Sequence, residues 1–98
     1  MKTSIPLSTS QLPGGEYLAE GLADLETGKE SLSALLLSIA ASRLTAAGLS
    51  VPPIHIREPE LRLYRLLRVT HQDDAHSQYN AHLRRLTSLC HALESRPS

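Results

Sequence analysis

Two groups of side chains in this sequence have types and spacings that could do chemistry. His71, Asp73, Asp74 and His76 fall within six residues, with His82 further along. Imidazole and carboxylate are the ligands that zinc and similar ions prefer. The spacing matches no zinc motif, however, and a competing reading is an aspartate helix cap among solvated histidines. The expectation is the cap, with no metal and no cofactor. The second group is His76, Asn80 and Arg84, which recur every fourth residue. On a helix they share a flank and could hold the phosphate or carboxylate of a small ligand, helped by His55. They could equally bind backbone carbonyls or water.

Cys90 and His91 are adjacent, which resembles a thiol beside a base. Neighbours on a helix point about 100° apart, so the two do not face each other. Cys90 also falls on an apolar seam, where cysteine acts as a small hydrophobe rather than a thiolate. Gly14-Gly15 lacks the spaced glycines and the lysine-hydroxyl pair of a phosphate loop. No catalytic constellation emerges, and the expectation is a protein that is not an enzyme.

Charge is patterned rather than abundant. Ten basic and ten acidic side chains cancel. Residues 1–49 hold three basic and five acidic side chains, and residues 50–98 hold seven and five. Arg62, Arg65 and Arg68 repeat every third residue and form a basic strip. Glu16, Glu20 and Asp24 repeat every fourth and form an acidic face. The two sets could meet inside one molecule or between two copies. Phosphate contacts by the strip, with Arg84 and Arg85, are the nucleic-acid alternative. Against it stand zero net charge, nearby Glu58, Glu60, Asp73 and Asp74, and the lack of an aromatic stacking platform.

The elements that must position these groups are helices. The 98 residues include 19 leucines and 10 alanines but no phenylalanine or tryptophan, a composition that favours helix over strand. One domain is all that this length allows. A first helix begins between Pro13 and Glu16 and stops at Gly28, with Leu18, Leu22 and Leu25 on its apolar face. A second spans residues 31–47, capped by Ser31 and stopped by Gly48. Its stripes, Leu32/Leu36/Ile39 and Leu37/Ala41/Leu44 with Leu35, cover most of its circumference and place it at the centre. Val51-Pro52-Pro53-Ile54-His55-Ile56-Arg57 is an extended strap, with Ile54 and Ile56 facing one way and His55 and Arg57 the other. A third helix opens at Pro59 and runs to residue 69 or 70, with Leu63, Leu66 and Leu67 inward and Leu61 and Tyr64 at the border. A fourth spans residues 74–94 along the seam Tyr79, Leu83, Leu86, Cys90 and Leu93.

The sequence therefore predicts an all-α, compact bundle of about four mostly antiparallel helices, with a proline-rich strap between the second and third. Residues 1–12 are expected to be a flexible tail with Ile5, Leu7 or Leu12 tacked onto the domain, 13–95 a single helical domain, and 96–98 a frayed end. The longest uncharged helical stretch, residues 31–42, is too short to span a membrane. A lone cysteine and no secretory signal point to the cytoplasm. The third helix is apolar at Leu61, Leu63, Tyr64, Leu66, Leu67 and Val69, more positions than one core face needs. The functional expectation is a small interaction module that binds another protein or a second copy of itself through leucine-rich and charge-striped faces. A small-anion binder or enzyme using His76, Asn80 and Arg84 is the alternative.

Overall fold

The computed structural model describes residues 12–54 and 56–95, among which there are five helices and no strand. Helix α1 is Gly15–Thr27, α2 is Leu32–Ile39, α3 is Ala41–Ala46, α4 is Pro59–His71 and α5 is Ala75–Glu94. The expected tail up to residue 11, the expected fray at 96–98 and His55 of the strap lie outside the described residues. Leu12, assigned to the tail from sequence, packs partly buried against the core.

Local chemistry sets the helix ends. Gly28 ends α1 in the left-handed conformation, φ 78°, which costs a Cβ-free residue nothing. Ser31 caps α2 by accepting a hydrogen bond from the Ala34 N–H at 3.1 Å. The expected second helix is dented at Ala40, which separates α2 from α3 with φ −98° and ψ 11°. The Ser38 hydroxyl donates back to the Ala34 carbonyl at 2.8 Å, a contact that bends helices. The hydrogen bonds from Ala40 N–H to Leu36 and from Leu44 N–H to Ala40 persist, so the chain keeps its course through the dent.

The start of the last helix differs from expectation. Asp74 makes no cap hydrogen bond; its carboxylate instead accepts from Gln78 Nε2 at 2.9 Å. A 3-10 turn at Gln72–Asp74 leads directly into α5, and Ala75 N–H already donates to the Gln72 carbonyl. Gln72 takes φ 51°, a left-handed value outside glycine, and the chain reverses there between α4 and α5.

Packing centres on α2. Ala34, Leu35, Leu36 and Leu37 are all fully buried. Four consecutive residues span most of a helix circumference, so α2 needs cover on every side. Helix α1 packs along it, α4 packs on both α2 and α5, and α3 joins α2 to the far end of α5. Tyr17, Leu18 and Leu22 of α1, Leu63 and Leu67 of α4, and Ala75, Leu86, Leu89, Cys90 and Leu93 of α5 complete the core. Val51 and Ile56 of the strap lie half-buried against it, while Arg57 is exposed.

The tightest seam is between α1 and α2. A Cβ at Gly21 would lie 2.5 Å from Leu37 Cδ1 and 2.9 Å from the Ser33 carbonyl oxygen. Alanine at an ordinary helix position gains about 1 kcal/mol over glycine, but overpacking costs about 1–3 kcal/mol. Gly21→Ala is therefore expected to lower stability despite the better helix former. Urea unfolding followed by circular dichroism checks this; a midpoint that rises would show that the seam has slack.

Candidate functional site

The outward side of α4 is the most distinctive surface. Its inward side is fixed by Leu63 and Leu67, both buried, with Leu66 and Tyr64 half-buried at the borders. That leaves Leu61, Arg65, Arg68 and Val69 facing away from the core. Leu61 is 43% exposed and Val69 is 78% exposed, and no other large hydrophobic residue is exposed among those described. Leu61 was expected at the core border, and the helix register instead turns it outward. Tyr64 is held on the α5 side by an edge-on contact with Tyr79, ring centroids 5.6 Å apart.

The arginine strip does not act as a unit. Arg62 Nη1 donates to both carboxylate oxygens of Glu30 at 3.1 and 3.2 Å, and Arg62 Nε donates to the Arg57 carbonyl at 2.8 Å. It is used to fasten the start of α4 to the connection before α2. Arg65 and Arg68 have no carboxylate within ion-pair distance among the described residues. All three arginines are exposed, and Arg62 is set apart from Arg65 and Arg68 by its partners Glu30 and Arg57.

The acidic face of α1 does not meet this strip within the molecule, so the intramolecular version of that pairing is corrected. Glu16 binds Arg85 of α5, with Nε to Oε2 at 3.0 Å and Nη2 to Oε1 at 3.2 Å. The Arg85 hydrogen bonds hold the Glu16 carboxyl below the usual carboxylate range. Glu20 Oε1 accepts from the buried Ser33 hydroxyl at 3.1 Å, and Asp24 Oδ2 accepts from the Ser31 hydroxyl. Both partners sit in the first turn of α2, where carboxylates also offset the positive helix end. A four-residue repeat winds toward α2, which is why Asp24 is half-buried there. The outward side of α1 thus carries Ala19, Ala23 and Thr27 with the exposed carboxylates Glu16, Glu20 and Glu26, of which Glu16 is taken by Arg85.

The flank of His76, Asn80 and Arg84 is only partly assembled. Asn80 Nδ2 lies 3.2 Å from His76 Nε2, but Arg84 makes no hydrogen bond among the described residues. An open groove of about 420 Å³ runs along this flank, lined by Asn80, Leu83, Arg84, Thr87 and Ser88, and His76 is not part of its wall. One helix face supplies the whole lining, whereas ligand pockets enclose their occupant between several elements. His71, Asp73, Asp74 and His76 are all exposed, and no three of the described His, Cys, Asp and Glu residues are placed to hold a metal ion. Cys90 is buried, and burial pushes its thiol up, away from the thiolate. No described helix is long and apolar enough to cross a membrane.

One polar contact was missed by sequence reasoning. Tyr17 Oη lies 2.8 Å from His82 Nδ1, joining α1 to α5 through a half-buried gap. The signal was present: Tyr17, Leu18, Gly21, Leu22 and Leu25 form a stripe two residues wide rather than one. With the ring neutral and its proton on Nε2, the tyrosine hydroxyl donates to Nδ1. Burial lowers the His82 pKa from its usual 6.5, and nearby His71 and Arg85 act the same way, with Glu16 opposing them. Every buried side-chain nitrogen and oxygen among the described residues has a partner. No protein-family model, curated protein or solved structure matches this chain.

The folded state thus binds a proton at His82 less readily than the unfolded chain does. The stability this contributes is complete above the ordinary histidine value and is lost as pH falls through the lowered one. Urea midpoints measured between about pH 8 and pH 5 are expected to fall on acidification, and His82→Gln is expected to remove part of that fall. An identical fall in the variant would contradict the assignment.

Proposed function

We propose that this chain is a small non-enzymatic interaction module, working in the cytoplasm, whose docking surface is the outward face of α4. The observation that carries this reading is the set Leu61, Arg65, Arg68 and Val69: two exposed hydrophobic side chains and two arginines with no carboxylate partner among the described residues. Apolar side chains interleaved with arginine suit a protein surface, since arginine is enriched at interfaces and burial against another chain takes Leu61 and Val69 out of water. A phosphate backbone would use the arginines and leave Val69 in water. The complementary surface is acidic and carries small side chains that leave room for Leu61 and Val69. It belongs to another protein or to a second copy. The small-anion reading of His76, Asn80 and Arg84 is less well supported, because their groove is open and lies on one helix.

Affinity purification from nuclease-treated lysate tests the reading when wild type is compared with Arg65→Glu/Arg68→Glu and with His76→Ala/Asn80→Ala. The α4 variant is expected to lose a stoichiometrically bound partner protein by at least about tenfold, because like charges then face each other. The α5 variant is expected to retain it. Retention by the α4 variant would overturn the proposal.

A further inference from the structure

The outward faces of α1 and α4 complement each other in charge, shape and length, and they lie on opposite sides of the molecule. We propose that the outward face of α4 docks on the outward face of α1 in a second copy, so that copies add head to tail; this rests on the α4 face being the docking surface. Arg65 and Arg68 on one side answer Glu20 and Glu26 on the other. Leu61 and Val69 protrude, whereas Ala19 and Ala23 leave a shallow track. Both helices have 13 residues, about 20 Å each, so the faces match end to end.

The opposed placement follows from the packing. Helices α1 and α4 each pack on α2 and make little or no contact with one another. The Tyr17–His82 and Glu16–Arg85 contacts tie α1 to α5, on which α4 also packs. The two therefore occupy a diagonal of the bundle, and their outer faces point apart. A contact between unlike faces on opposite sides is heterologous and propagates beyond two copies unless its rotation closes a ring. Pairing of like faces is disfavoured, because α4 against α4 would bring four arginines together and α1 against α1 four carboxylates. The chain carries no net charge, so the faces polarise it without making copies repel.

Exposed ion pairs are individually weak, so each joint has a Kd on the order of 1 mM and is sensitive to salt. Sedimentation equilibrium of the full chain at low salt provides the test. The weight-average mass of wild type is expected to climb with concentration from 10.7 kDa past that of two copies, and to fall back when salt is added. Arg65→Glu/Arg68→Glu and Glu20→Lys/Glu26→Lys are each expected to stay at 10.7 kDa alone, while an equimolar mixture of the two assembles again. Glu26→Lys alone, which breaks no hydrogen bond described within the fold, is expected to weaken assembly about tenfold; circular dichroism confirms that every variant is folded. Wild type that stays monomeric well above the expected Kd, or a mixture that fails to assemble, overturns self-docking. Loss of the partner from Arg65→Glu/Arg68→Glu in the affinity experiment would then leave the docking face standing with a different occupant. Retention of the partner there would remove both.

Discussion

The structure depends on the burial of α2. Leu35, Leu36 and Leu37 are consecutive and fully buried, with Ala34 beside them, so most of the circumference of this helix is covered, and Leu32, Ser38 and Ile39 are partly so. Each such leucine contributes about 1.5–3 kcal/mol when it leaves water, and only a complete shell of other elements collects that gain. Helices α1, α4 and α5 form the shell with α3 and the strap. Because α2 is short, each covering helix spends one side on it and keeps the other. The outward faces of α1 and α4 are therefore a consequence of the core and not an accident of composition.

Polar contacts then orient the shell. Three arginine–glutamate pairs tie separate parts of the chain: Arg85 with Glu16 between α5 and α1, Arg43 with Glu94 between α3 and α5, and Arg62 with Glu30 at the start of α4. All six side chains are substantially exposed, so these pairs set direction more than stability. Glu20 and Asp24 are engaged by the serines that begin α2. What remains after this pairing is informative. Arg65 and Arg68 stay outside it, on the same face as the two exposed hydrophobic residues.

Much of the architecture was legible in the sequence because its signals are local. Gly28 and Gly48 both take positive φ, Ser31 caps α2, and Pro59 opens α4. The apolar character of α2 announced its central place, and the excess of apolar positions on α4 announced exposed ones. What escaped depends on neighbours in space. The Tyr17–His82 bond joins residues 65 positions apart; the stripe on α1 turns Tyr17 inward but does not name its partner on α5. The dent at Ala40 comes from one hydroxyl turned back to its own helix. The aspartate cap is missing because the Asp74 carboxylate turns along α5 to accept from Gln78. The acidic and basic stripes were visible as stripes, but drift around α1 turned Asp24 toward α2, and Glu30, remote in sequence, engaged Arg62.

The outward faces of α4 and α1, as proposed, are two halves of one recognition surface, displayed by a core that points them apart. Methyl NMR across a dilution series tests this most directly, because Leu61, Val69, Ala19 and Ala23 each carry a reporter on one of the two faces. The account predicts that these methyl signals shift together as concentration rises, while those of Leu83 beside the His76, Asn80 and Arg84 flank and of the buried leucines of α2 stay in place. Signals on the two faces that do not move, or shifts confined to Leu83, would contradict it.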